Sequence, residues 1–290
     1  MRFGIDICVL GEFAEPARVV ELAQAAEAAG WEAVFVWDHL AFAWGVPSAD
    51  PWVLLAAAAQ ATTRIRLGTA VTPLPRRRPV VIANAVATLD RLSGGRVVLG
   101  VGIGGVPAEF TAFGEPDEPR VRADKLDEAL EVIAALWAGQ PVSHAGRHYT
   151  VDGVTLAPLP VQRPRVPIWV GGDSRAAQRQ AARWDGWIIG GDNERGEMTA
   201  DPDRLADDLA YIRRHRDADT PFEVAMTGVS TGPDDAVVAR YEAAGVTWWL
   251  EHIHERRAPY ARLLARIEAG PPRPCSPRPA RRAGSTDPLP

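Results

Sequence analysis

Lysine is nearly missing from this chain: Lys125 is the only one among 290 residues, and the remaining cations are arginines. An arginine stays protonated at neutral pH and cannot form an imine, so Schiff-base chemistry would rest on Lys125 alone. That residue stands in "RVRADKLDEALEVIAALW", on the polar side of an amphipathic helical repeat, which argues against an imine-forming aldolase or a pyridoxal-phosphate enzyme. Cysteine is scarce too, and Cys8 and Cys275 make neither a disulfide framework nor a metal cluster. No apolar run approaches the length of a membrane span. The first residues, "MRFGIDICVLGEF", lack the basic head, apolar run and cleavage site of a secretion signal and read as a strand, so a cytoplasmic protein is expected. Positive charge is in deficit, 32 basic against 37 acidic residues, which disfavours a general nucleic-acid role despite a local basic patch, "PRRRP", at 75–79. No serine-nucleophile motif appears, so acyl hydrolysis has no support.

What is present is a regular alternation of short apolar runs and helical segments. "RFGIDICV", "EAVFVW", "RIRLGTAV", "RVVLGVG", "VPIWVGG", "GWIIGG", "FEVAMTGVS" and "VTWWLEH" read as strands, each followed by a segment with helical spacing. Short, mostly apolar strands suit a parallel sheet covered on both faces. About eight such units predict an α/β protein of the (β/α)8 barrel type. "VSHAGRHYTVDGVTLAP" interrupts the pattern as an inserted hairpin-like excursion, whose His144 and His148 read as surface or packing residues. From Gly270 the chain turns rich in proline, arginine and small polar residues, so the barrel is expected over 1–269 and a disordered tail over 270–290.

The stretch "RVVLGVGIGGVPAEF" places Gly100, Gly102 and Gly105 at the G-x-G-x-x-G spacing of a dinucleotide fingerprint. That fingerprint belongs to a first strand–helix unit and leads straight into its helix. Here it follows the fourth strand and enters a proline-containing loop, so the match is accidental.

In barrels of this type the chemistry sits at the C-terminal strand ends. The second strand ends in "WDHLAFAWG", where Asp38 and His39 precede Phe42 and Trp44. Two readings stay open: a proton donor or hydrogen-bonding partner for a flat ligand, or a solvated Asp–His pair over aromatic packing. The third ends in "GTAVTPLPRRRP", whose small residues suggest a bulge where a planar ring would lie against backbone. Arg76, Arg77 and Arg78 read as a solvated face, or as an attractor for an anionic ligand tail. After the fourth strand Gly102, Gly104 and Gly105 carry no side chain to obstruct a ligand. After the fifth, Gly171, Gly172, Asp173 and Ser174 open a helix and suit a phosphate, with a plain N-cap as the alternative. His252 and His254 in "EHIHE" share a strand face, but no third ligand accompanies them, so a metal is disfavoured.

Three segments, "GWEAVFVWDH", "IRLGTAVTPLPRRRPVVIANAVATLDRLSGGRVVLGVGIG" and "PIWVGGDSRAAQRQAARWDGWI", resemble the bacterial luciferase-like flavin- or deazaflavin-dependent oxidoreductases, over most of residues 1–270. The resemblance implies a barrel that holds flavin mononucleotide (FMN) or the 8-hydroxy-5-deazaflavin coenzyme F420 at the strand C-termini. It places Asp38 and His39 at the ring edge as the catalytic pair, with His39 giving a hydrogen bond or proton to the substrate. Ala70 and Val71 would form a non-proline cis bulge behind the ring, and Thr72 would touch the ring or ribityl chain. Gly102 and Gly104 would line the groove, Gly171, Gly172, Asp173 and Ser174 would hold the phosphate, and Phe42 and Trp44 would line the substrate pocket. A homodimer is implied as well.

The chain also departs from that pattern. Sugar-phosphate dehydrogenases of this family carry a glutamate after the fourth-strand glycines where Gly105 stands, and Trp44 is spaced one residue farther from the Asp–His pair. The favoured function is hydride transfer between coenzyme F420 and a small organic substrate, supported by the arginine triplet and by an arginine- and alanine-rich composition that suggests a GC-rich genome. Alternatives are an FMN-dependent monooxygenase fed by a separate reductase, a non-catalytic flavin-binding protein, and a phosphate-binding barrel isomerase or hydrolase without a redox cofactor.

Overall fold

A computed structural model describes residues 1–272 except 194, 218, 231 and 233–235. The tail expected over 270–290 lies outside the described residues from 273 onward. Eight parallel strands close into a barrel: β1 (Arg2–Ile7), β2 (Ala33–Val36), β3 (Arg66–Thr69), β5 (Val97–Gly102), β8 (Ile168–Gly171), β9 (Gly186–Gly190), β10 (Glu223–Gly228) and β11 (Trp248–Ile253). Closure comes from β11 pairing with β1 and from β3 pairing with β5 through Leu67↔Val97 and Gly68↔Val98. The third strand, expected as one run, is broken at Ala70–Val71, and its continuation β4 (Thr72–Pro73) pairs with β5. Helices α1 (Pro16–Ala28), α2 (Pro51–Ala61), α3 (Pro79–Ser93), α5 (Pro119–Trp137), α6 (Arg175–Ala182), α7 (Pro202–Arg214), α8 (Ala236–Ala243) and α9 (Tyr260–Glu268) follow successive strands, and a short α4 (Ala108–Thr111) lies in the loop after β5. No helix among the described residues is long and apolar enough to cross a membrane.

Alternation along the strands divides the core in two. Val34, Val36, Val97 and Leu99 belong to the large apolar layer shared with the helices, whereas Ala33, Phe35, Val98, Trp169, Ile188, Ala225, Trp248 and Leu250 form a separate cluster inside the barrel. Large rings fill this interior, and glycines make room for them. Phe35 stacks on Trp169 with centroids 5.4 Å apart, and a Cβ on Gly68 would stand 2.6 Å from the Phe35 ring.

The end where the strands begin is tied by charged side chains to loop backbone. Asp90 accepts from the backbone N–H groups of Val161 (2.8 Å) and Gln162 (3.0 Å) and from the Gln162 amide (2.7 Å). Arg96 donates to the carbonyls of Ser93, Ile65, Ala59 and Thr62 and to the Thr62 hydroxyl. Glu27 gathers the N–H groups of Thr63, Arg64 and Ile65. Burial works against its charge, but those three donors outweigh it and hold the Glu27 carboxyl at about 2. The excursion is the antiparallel hairpin β6 (Val142–Ala145) and β7 (Thr150–Val154). It is pinned to α5 by Glu128, which bonds His144 and the N–H groups of His148 and Tyr149, so both histidines of the excursion have packing roles.

Candidate active site

At the end where the strands finish, a cavity of about 870 Å³ opens between the loops. The local sequence explains its walls. After β2 the chain leaves the sheet through Trp37, Asp38 and His39, and a 3-10 turn over Ala41–Trp44 is stopped by Gly45 in the left-handed conformation. After β3 the Ala70–Val71 peptide bond is cis and forms a small apolar shelf. Asp38, His39, Ala70, Val71, Gly102, Gly104, Gly171, Gly172, Asp173 and Ser174 all line the cavity.

The Asp–His pair is locked from behind. Arg76 Nη2 donates to Asp38 Oδ1 at 2.6 Å and to the Asp38 carbonyl at 2.6 Å, and Nη1 pairs with Glu109. Arg77 adds a second guanidinium to Asp38 Oδ1 at 2.8 Å. Glu109, fully buried on α4, accepts from the Leu40 N–H at 2.9 Å and lies 2.7 Å from His39 Nδ1. An acceptor-only carboxylate facing Nδ1 places the imidazole N–H there as donor, which leaves Nε2 as the ring nitrogen not engaged by Glu109. Asp38 Oδ2 is buried without a hydrogen-bond partner among the described residues.

This network corrects the solvated-face reading of the arginine triplet. The Arg76 side chain is 3% exposed and that of Arg77 20%, because buried carboxylates on neighbouring loops draw both inward; only Arg78 is exposed. Two of the three charges thought available for an anionic tail are spent on Asp38, Glu109 and Asp50. Glu109 itself escaped the sequence reading. Its signal was indirect: three arginines beside a single Asp imply a further acid nearby.

Other expected residues fall at different distances from the cavity. Gly102 and Gly171 line it, yet the space a Cβ would need is taken by Val71, whose methyls would stand 2.8 Å away at either position. They are glycines to seat the bulge. Gly105 alone of this set has nothing within 4 Å of an added Cβ. Ser174 caps α6, its hydroxyl accepting from the Ala177 N–H at 3.2 Å, and the first turn of α6 faces the cavity through Ala176 and Ala177. Thr72 is buried behind the wall, outside the cavity lining, with its hydroxyl unpartnered among the described residues. Trp44 (39% exposed) and Phe42 (57% exposed), expected in the substrate pocket, are not among the cavity-lining residues; the Trp44 ring lies 6.0 Å from that of His39, and Phe42 leans on Phe113. Arg120, Asp127 and Gln180 line the cavity near α6 and were not anticipated, while Lys125 is not among its lining residues.

The chemistry of these residues fits a flavin-type group. The volume is that of a cofactor pocket. The shelf is apolar, Asp38 supplies a lining carboxylate, and the N-terminus of α6, with Arg120 elsewhere in the lining, suits a phosphorylated or acidic tail.

Comparison with known proteins agrees. The luciferase-like monooxygenase family matches residues 3–282. An uncharacterised protein of Mycobacterium tuberculosis is 33% identical over 249 residues, 79% of this chain and 82% of that one. An F420-dependent glucose-6-phosphate dehydrogenase of Microbacterium testaceum is 39% identical over 237 residues, 78% of this chain and 68% of its own. Among solved structures, an F420-dependent secondary alcohol dehydrogenase in complex with an F420–acetone adduct shares the fold, with a TM-score of 0.77 at 21% identity over 92% of this chain and 97% of that one. The chain therefore belongs to the luciferase-like monooxygenase family, as an oxidoreductase-type barrel with a site for a flavin-type cofactor.

Proposed function

We propose that the protein transfers a hydride between coenzyme F420 and a small organic substrate, with His39 handling the proton of the substrate oxygen. The observation that carries this reading is the way His39 is held: Nδ1 lies 2.7 Å from a buried carboxylate that is itself fixed by Arg76 and the Leu40 N–H. An alcohol that loses a hydride must also lose its hydroxyl proton, and a carbonyl that gains one must be protonated. An oriented imidazole with Nε2 available does either. The coenzyme, when bound, supplies two-electron hydride chemistry at its ring.

The rest falls to this chain's own residues. Ala70 and Val71 would back the ring, and Asp38 would lie in the same wall as a carboxylate. Gly171–Ser174 and the first turn of α6 present N–H groups to a phosphate, and Arg120 adds charge for an acidic tail. Val170, Ile188 and Ile189 keep water from the reacting face. The F420 dependence of the 39% identical dehydrogenase of Microbacterium testaceum supports the choice of coenzyme.

The test is a fluorescence-quenching titration with oxidised F420 and, separately, with FMN, on wild type and His39→Gln. Tight binding of F420 alone is expected, with the variant binding it equally and turning over about 10²–10⁴-fold more slowly. Preference for FMN with oxygen uptake would replace the proposal by a reductase-fed monooxygenase. Binding of neither would overturn it.

A further inference from the structure

A smaller cavity, of about 300 Å³, opens at the end of the barrel where the strands begin, and hydride transfer does not use it. Arg2, Arg66 and Trp248, at the starts of β1, β3 and β11, line it with Glu32 and Arg64 from the loops before β2 and β3. The strand register turns two of these arginines into the barrel. Arg2 stands beside Trp248 and Arg66 beside Ala33, and both of those partners belong to the interior cluster, so the side chains share its face. Glu223 lies on the same face, two residues before Ala225 of that cluster.

These inward charges are not matched one to one. Arg2 pairs with Glu223 and lies over the Trp248 ring, 4.5 Å from its centroid, and Glu223 also accepts from the Thr247 hydroxyl at 2.7 Å. The Arg66 side chain has neither a hydrogen bond nor an ion pair among the described residues. Burial and the Arg2 charge draw it below its ordinary value, and Glu223 and Glu32 act on it through space without bonding it. A guanidinium partly withdrawn from water, with a like charge beside it, costs stability until an acceptor completes it. At the other end of the barrel Asp6, whose Oδ2 accepts from the Trp37 N–H at 2.9 Å, and His252, whose Nδ1 lies 2.9 Å from Asp192 Oδ2, also keep an open atom, but both open atoms are sealed from solvent. The arginines of the smaller cavity are accessible: Arg66 is half-buried, the Arg2 side chain is 40% exposed, and Arg64 is exposed.

Independently of the hydride-transfer reading, we propose that this cavity is a second ligand site, which binds a small organic acid through a single carboxylate on the unpaired guanidinium of Arg66. The planar fork of an arginine presents two parallel N–H donors that match a carboxylate, and Arg2 and Arg64 add attraction from the same lining. The acids set the charge of the ligand. Glu32 lines the cavity and Glu223 faces Arg66, so a second negative charge is opposed, while a neutral amide leaves the Arg66 charge unmatched. The volume sets its size, which is that of a small molecule and well short of the cavity at the other end.

The test uses three probes of one shape: benzoate, its neutral isostere benzamide, and phthalate, which carries a second carboxylate. Binding to the full chain is measured by calorimetry at neutral pH and fixed ionic strength, on wild type and Arg66→Gln. Benzoate is expected to bind wild type about 10–100-fold more tightly than benzamide, and phthalate more weakly than benzoate. Arg66→Gln should erase the benzoate preference and leave F420 affinity unchanged. Without ligand the variant should melt no lower than wild type, because the side chain it replaces bonds nothing. Equal affinities for benzoate and benzamide in wild type would overturn the proposal, a comparison that needs no variant to fold. So would a benzoate preference that survives Arg66→Gln, which would place the acid elsewhere, or no binding of any probe. A lower melting temperature of the unliganded variant would overturn it too, by showing the Arg66 charge to be satisfied within the protein. A failure to bind F420 would count against the hydride-transfer reading alone, since the benzoate preference is read without coenzyme.

Discussion

Where the barrel strands begin, Arg96 spends its guanidinium donors on backbone and hydroxyl oxygens, and Asp90 and Glu27 are saturated with N–H groups. Where the strands finish, Asp6, Asp38 and His252 each keep a buried polar atom without a protein partner among the described residues. The closed atoms hold the scaffold, and the open ones lie at the end that carries the larger cavity. The segment that carries most of the family resemblance, "LDRLSGGRVVLGVG", spans both: its Asp90 and Arg96 belong to the closed end and its last glycine to the cavity.

The contrast is tested most severely at Arg76, which pairs with both Asp38 and Glu109 at the open end. Arg76→Leu removes the guanidinium shared by the buried carboxylates of Asp38 and Glu109, leaving Arg77 on the first and the Leu40 N–H and His39 on the second, and we expect a loss of about 3 kcal/mol in denaturant unfolding. Asp90→Ala should cost about 1.5–3 kcal/mol by the same measurement and leave cofactor affinity untouched. Glu27→Gln acts through pH. The native carboxyl is held near 2 against an ordinary 4.5, so its contribution is fully present above the ordinary value and is lost as pH falls toward 2. The variant should therefore be less stable than wild type at neutral pH, and the difference should close as pH falls toward 2, so that the acid limb of thermal stability is flatter in that window. Gly105→Ala has the smallest structural effect, within about 0.5 kcal/mol, because a methyl there meets nothing. It should nevertheless weaken cofactor or substrate binding in the quenching titration. If instead it destabilises the fold and spares binding, the open end is scaffold too.

The barrel was legible in the sequence because every strand is a short apolar run, buried inward by the interior rings and outward by helices. The break at Ala70–Val71 leaves no mark on the alternation in "RIRLGTAV"; the small residues at the strand end suggested a bulge, and the family resemblance placed it at Ala70–Val71. Asp38 and His39 could be found because they share one strand end. Glu109 could not, since the network joins residues from three separate loops whose meeting only the closed barrel brings about. The same applies to His252, read as half of a doubtful metal pair because Asp192 and Asp6 lie far away along the chain. Asp6 drew no notice, being one polar position in an otherwise apolar strand.

Trp37 gives the site a property that no single residue of it has. One indole forms the wall on which His39 and His252 both rest, and its N–H holds Asp6 in place. The positions of the two imidazoles are thus not independent of one another. Substitutions at His39 and His252, measured singly and together, should depart from additivity, and replacing the ring between them should restore it.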